Sequence, residues 1–187
     1  MIEKLIRKIA KSLDKERISY MIIGGQAVLL YGTPRLTRDI DITLGIDTDE
    51  FEAVKAVCKR ANLLLLPEDP ENFAKDTKVL PAQDVKLIIR VDFIFSFTPY
   101  EKQAIKRTKK VMIAGYPVRF ASCEDVIIHK MIAARAIDHE DVRNVLLKNK
   151  NTLNIEYINN WLAKFNTLSG LEDIADRFNN LINKLHF

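Results

Sequence analysis

Cysteine is scarce in this chain: Cys58 and Cys123 are the only two in 187 residues. Neither has a companion at metal-ligand spacing, which excludes a disulfide framework and a thiolate zinc site and leaves each as a small buried apolar residue. The three histidines, His129, His139 and His186, form no HExxH or paired His/Cys cluster. Long apolar runs are absent too, and nothing approaches the roughly 18 residues that a bilayer span needs. The opening "MIEKLIRKIAKSLDKERISY" carries charge at every turn, so it reads as an amphipathic helix rather than a signal peptide. The expected location is cytoplasmic, with no membrane partner. Glycine is also sparse, six in all, yet two of them stand side by side at Gly24 and Gly25. Neither a G-x-x-x-x-G-K-[ST] loop nor a G-x-G-x-x-G fingerprint is present, which removes the P-loop and Rossmann readings.

What is there suits a globular domain: 48% hydrophobic, 29% charged and a formal net charge of +4. Helical spacing of Ile2, Leu5, Ile6, Ile9 and Leu13 predicts a first helix to about Asp14. "SYMII" reads as a buried strand ending at the glycine pair, and "QAVLLY" as a short helix stopped by Gly32 and Pro34. "DIDITL" reads as a strand and "DEFEAVKAVCKRA" as a helix. "NLLLLPEDPENFAKDTKVLPAQ" then gives a short strand and a polar connection, and "VKLIIRVDFIFSF" a long central strand. "KVMIAGYPVRFAS" is a hairpin turning at Ala114-Gly115, after which four helices are expected, over 123–136, 138–147, 155–165 and 171–185, the first capped by Ser122. The fold expected is α/β (α+β): a mixed sheet flanked by helices over 1–120, then a helical C-terminal part over 121–187. "KQAIKRTKK", Lys102 to Lys110, concentrates five positive charges, with Lys86, Arg90 and Arg119 in flanking strands. A lysine-protected hairpin edge accounts for this slightly better than a polyanion-binding surface, since no aromatic residues are interleaved for base stacking.

The chemistry lies in "MIIGGQAVLLYGTPRLTRDIDITL", residues 21–44. Strand side chains repeat every two residues, so Asp39 and Asp41 share one face while Ile40 and Ile42 enter the core. Two carboxylates that close repel each other unless a cation sits between them, and oxygen ligands on a rigid strand suit Mg²⁺. Asp92, in "RVDFIF", is a third strand acid; if its strand is adjacent, the trio could hold two ions roughly 3.5–4 Å apart. Gly24 and Gly25, lacking Cβ atoms, let an oxyanion approach backbone N–H groups at the start of the next helix. A lone D-x-D or a lone glycine turn would mean little; their conjunction with a third strand acid points to a phosphate-handling metal site.

Together these residues resemble the DNA polymerase β-type nucleotidyltransferase superfamily, and more narrowly its small prokaryotic members, the minimal nucleotidyltransferases and AbiEii-type toxins. The parts are "GGQ" at residues 24–26, "RDIDIT" at 38–43 and "VDF" at 91–93, followed by "ASCEDVIIHKMIAARAIDHEDV" at 121–142. The resemblance implies a nucleotidyl group moved from an NTP to a hydroxyl acceptor. Asp39, Asp41 and Asp92 would be catalytic and hold Mg²⁺ or Mn²⁺. Gly24, Gly25, Gln26, Thr37, Arg38, Lys130 and Arg135 would bind nucleotide. Asp138 and Asp141 would orient those bases or cap their helix. The acceptors implied are RNA, such as a tRNA 3′ end, or a protein side chain, with a toxin–antitoxin setting and an antitoxin partner among the expectations. An aminoglycoside-type small molecule is a further acceptor, and the rival class is a catalytically idle nucleotide-binding or interaction module on the same fold.

Overall fold

The computed structural model describes residues 1–96 and 98–186. The chain divides into two compact units: Met1–Gln26 with Thr37–Ala121, and Ala27–Leu36 with Ser122–Phe187. Among the described residues, no helix is long and apolar enough to cross a membrane.

The first unit holds α1 (Ile2–Lys15), β1 (Tyr20–Ile22), the start of α2 (Gly24–Tyr31), β2 (Asp39–Leu44), α3 (Phe51–Ala61), β3 (Leu63–Leu65), α4 (Pro70–Thr77), β4 (Val79–Asp84), β5 (Arg90–Phe95), α5 (Pro99–Lys106), β6 (Lys109–Ile113) and β7 (Tyr116–Phe120). Its seven-stranded mixed sheet runs in the order β3-β4-β5-β2-β1-β7-β6. β2 pairs parallel with β5 and antiparallel with β1. Helix α1 buries Leu5, Ile6, Ile9 and Leu13 and packs on α3. Ile40 and Ile42 on β2, with Val91 and Phe93 on β5, are almost wholly buried. Each such side chain contributes about 2 kcal/mol of apolar burial, and this inward row is what sets the acids outward.

Three sequence expectations change. The polar connection after β3 contains helix α4, begun by an Asp69 cap and Pro70, and then strand β4. Its Pro81 makes β4 an unpromising strand on sequence, because proline cannot donate to a ladder. The long central strand is confined to Arg90–Phe95; residues before it form a turn closed by Asp84, whose carboxylate accepts from the N–H groups of Lys86 and Leu87. The expected extent of that strand includes Phe97, which lies outside the described residues. The basic stretch is helix α5 followed by β6, the outermost strand on its side, where Lys109 and Lys110 are exposed. Thr98, Pro99 and Glu101 start α5 with a complete capping box.

The second unit contains the rest of α2, then α6 (Cys123–Ala133), α7 (Ala136–Asn149), α8 (Ile155–Phe165) and α9 (Ile174–Lys184). Ser122 caps α6 as expected, accepting from the Asp125 N–H. Val126, Ile127, Met131, Val145, Leu146, Ile158, Leu162 and Phe178 form its core. The segment 27–36 is tied to α7 through Lys148, which donates to the Gly32 carbonyl at 2.8 Å, and Asn149, which donates to the Tyr31 carbonyl at 2.8 Å.

Candidate active site

Strand pairing brings the three acids together. β2 and β5 run parallel with Asp41 opposite Asp92 and Asp39 opposite Arg90, so all four side chains leave one face of the sheet. Asp39 is exposed and Asp41 is partly buried. Thr37 donates its hydroxyl to Asp39 Oδ1 at 3.0 Å. Arg90 Nε donates to both oxygens of Asp92, at 2.8 and 3.0 Å. That contact, with Asp41 and Asp39 adding their charge, raises the Arg90 pKa above its ordinary value.

The glycines stand against this row because nothing larger fits. Gly24 has a left-handed φ of +61°, and a Cβ there would lie 1.9 Å from Asp41 Oδ2. A Cβ on Gly25 would lie 2.4 Å from Thr37 Oγ1. The pair belongs to the first turn of α2 instead of preceding it, so the helix N-terminus opens directly beside Asp41. Gln26 is buried and donates to the Asp39 carbonyl at 3.3 Å, fixing the start of β2. Arg38, the residue before the acid strand, is exposed.

In the second unit the carboxylates are arranged in the opposite way. Lys130 is 4% exposed and its ammonium lies 2.6 Å from Asp138 and 2.9 Å from Asp141. Arg35 grips Asp141 with Nε and Nη2, both at 2.9 Å. Arg135 reaches Asp138 with Nε at 2.7 Å, and its backbone N–H donates to the same carboxylate at 3.1 Å. Burial works against ionisation of Asp138, but the hydrogen bonds from Arg135 and Lys130 outweigh it and hold the pKa at about 2. Asp141 is lowered as well: burial opposes the shift, and Arg35 and Lys130 override it. Of the basic residues here, Arg135 retains the most exposed side chain, at 70%.

A family model described as a nucleotidyltransferase of unknown function, DUF6036, matches residues 1–184. The chain belongs to that family. A search of curated protein sequences returns no match. Among solved structures, ANT(2'')-Ia in complex with adenylyl-2''-tobramycin is 18% identical, covers 96% of this chain and 97% of its own, and has a TM-score of 0.59. An antigenic nucleotidyltransferase-like protein from Paracoccidioides brasiliensis is 16% identical over 98% and 88% of the two chains, with a TM-score of 0.58. The lincosamide antibiotic adenylyltransferase LnuA, lincomycin-bound, is 16% identical over 76% of this chain and 94% of its own, with a TM-score of 0.54. At such identities these likenesses establish the nucleotidyltransferase fold.

For a DUF6036 nucleotidyltransferase the donor set can be tested against a divalent cation. Three carboxylates at neighbouring, in-register strand positions are the hard oxygen ligands that Mg²⁺ takes. As the side chains stand, no group of three acids, histidines or cysteines among the described residues is disposed to hold an ion. The residues fit in kind and in strand register, while both oxygens of Asp92 are occupied by Arg90. Arg90 escaped sequence reasoning, which grouped it with the basic surface. The signal was present, since an R-x-D spacing on a strand puts both side chains on one face. Arg35 carried no such signal, because its partner lies 106 positions away.

Proposed function

We propose that this protein transfers a nucleotidyl group from an NTP to a hydroxyl acceptor, with release of pyrophosphate, and that the first unit carries the chemistry. The observation behind this reading is Asp41 lying in register with Asp92 while its carboxylate fills the space a Gly24 side chain would need. Asp39, Asp41 and Asp92 would hold Mg²⁺ or Mn²⁺, which supplies charge neutralisation at the phosphates and a lowered pKa for the attacking hydroxyl. The N–H groups opening α2 at Gly24, Gly25 and Gln26 face the phosphates of the nucleotide. Thr37 orients Asp39, and Arg38 lies near enough in sequence to add charge. Asp92 takes the hydroxyl proton as the α-phosphorus–oxygen bond forms and the bond to pyrophosphate breaks. Lys130 and Arg135 are carried as nucleotide contacts on the family resemblance; Lys130 is buried between two carboxylate partners, and Arg135 is the more exposed of the two.

We infer that the acceptor enters from the β4 side of the acids. The glycine turn follows β1 on one side of the acids, and β4 and β3 lie on the other. There a groove of about 590 Å³ is lined by Glu68, Asp69, Asp76 and the exposed Phe73, with Arg90 at its edge. This lining favours an acceptor without high negative charge: a protein side chain, or an amine-bearing small molecule of the sort bound by the ANT(2'')-Ia and LnuA structures. RNA is the second reading, favoured by the basic residues Lys102 to Lys110. A toxin role with an antitoxin partner rests on the AbiEii-type resemblance, and growth arrest on expression, relieved by a neighbouring gene, tests it.

The deciding experiment incubates the protein with α-labelled NTPs, Mg²⁺ or Mn²⁺ and cell extract. Label in protein or in a small molecule supports the first reading, and label in RNA supports the second. No label with any NTP leaves the idle module.

A further inference from the structure

Arg90 does something the transfer reaction does not require: it occupies both oxygens of one of the three carboxylates proposed to hold metal. It stands opposite Asp39 in the β2–β5 ladder, one face-repeat from Asp92, so it leaves the same face of the sheet as the three acids and pairs with Asp92. The row Asp39, Asp41 and Asp92 sets three like charges on neighbouring positions of two adjacent strands, a mutually repulsive arrangement that a cation on the same face relieves. The pair is half open to water, with the Arg90 side chain 56% exposed and Asp92 19% exposed, which makes it weak enough to exchange. Arg90 also borders the groove lined by Glu68, Asp69 and Asp76, so other carboxylates flank it on the side away from the trio.

We propose that Arg90 is a displaceable internal cation: it neutralises and holds the acid trio while no metal is bound, and yields Asp92 when a divalent ion arrives. It is a positioning residue, acting on Asp92 and touching no reacting atom. The inference rests on the metal-dependent reading above, but it concerns binding of the ion alone. Its cost to the protein is a weaker affinity for free metal; its benefit is a trio kept in place without metal. Free Mg²⁺ or Mn²⁺ must compete with a guanidinium already seated, so the full carboxylate set is presented only when an ion, or an ion carrying a nucleotide, wins that contest.

The test measures Mn²⁺ binding to the whole chain, without nucleotide, from the electron paramagnetic resonance signal of free Mn²⁺. Arg90→Gln should bind Mn²⁺ up to about fivefold more tightly than the wild type, because a competing cation is gone. Arg90→Lys, which restores the charge but offers a point donor in place of a planar fork, should fall between them. Adding Asp92→Asn to both the wild type and the Arg90→Gln variant should erase the difference between them. A purely structural Arg90 would lower thermal stability and leave Mn²⁺ affinity unchanged, and an unchanged or weaker affinity in folded Arg90→Gln or Arg90→Lys overturns the proposal. The two readings separate cleanly: tighter Mn²⁺ binding by a chain that labels nothing retains this inference and removes the transferase, while labelling by the wild type with no affinity gain in the variants does the reverse. Absence of Mn²⁺ binding in every variant overturns this inference and leaves the transferase reading to the labelling experiment.

Discussion

Asp39, Asp41 and Asp92 in the first unit, and Asp138 and Asp141 in the second, are two carboxylate groups of similar size built to opposite specifications. In the second, both acids are buried and every approach is taken by Lys130, Arg35 or Arg135. In the first, Asp39 is exposed and its described side-chain partner is a hydroxyl, and Asp92 has one cation that is itself open to water. A buried charge without compensation costs several kcal/mol, so the second group must be complete in order to fold. The first lies nearer the surface, where solvent lowers the penalty of gathered charge. On the proposed reading, burial and pairing separate the acids that hold the fold from those that would carry the chemistry.

Removing one charge from each group sharpens this contrast most. Asp41→Asn should lower nucleotidyl transfer by about three orders of magnitude, the scale of losing an electrostatic contact to the reacting phosphates. Thermal denaturation should show no loss of stability, since one of three like charges has gone. Lys130→Met should act through the fold as well, costing about 3 kcal/mol by removing the cation shared by two buried carboxylates; chemical denaturation of the folded variant checks it. Gly24→Ala should cost 1–3 kcal/mol, roughly the price of left-handed strain at a non-glycine residue. Because its Cβ meets Asp41 Oδ2, transfer should fall with it.

Acid titration breaks the comparison in another way. The Asp138 pKa is about 2 in the folded chain against an ordinary 3.8. A depressed carboxylate stabilises fully above its unfolded value and loses that stabilisation as pH falls through the folded one. Stability should therefore drop by about 2 kcal/mol between pH 4 and pH 2, and Asp138→Asn should flatten this part of the profile, as urea midpoints across that range would reveal. The smallest effect is expected at Arg135→Ala. Its side chain is exposed but holds one face of buried Asp138, with Lys130 remaining on the other, so its loss should cost about 1 kcal/mol of stability, while a rise in KM for NTP with kcat unchanged would identify it as a ground-state phosphate contact.

Local pattern carried much of the architecture. Period-two alternation in "DIDITL" assigned the faces of β2, the glycine pair marked the strand-to-helix junction, and Ser122 marked the start of α6. Helix α4 was missed although Asp69-Pro70 spells a cap and a first turn, and α5 although "TPYE" spells a capping box. In the first, proline and charge were read as a connection, and in the second the lysines were read as a hairpin edge, when at a helix start proline and acid signal the helix.

Residue type and spacing along the chain determined which acids could act together and on which side of their strands they lie, because a strand's alternation needs no partner. Only tertiary structure decided that β5 lies beside β2 with Asp92 level with Asp41, that Arg90 claims Asp92, and that Arg35 crosses 106 positions to close on Asp141. Strand neighbours and ion pairs are chosen by burial of the whole sheet and helix core, a free energy summed over residues far apart in the chain and invisible to any short window of it.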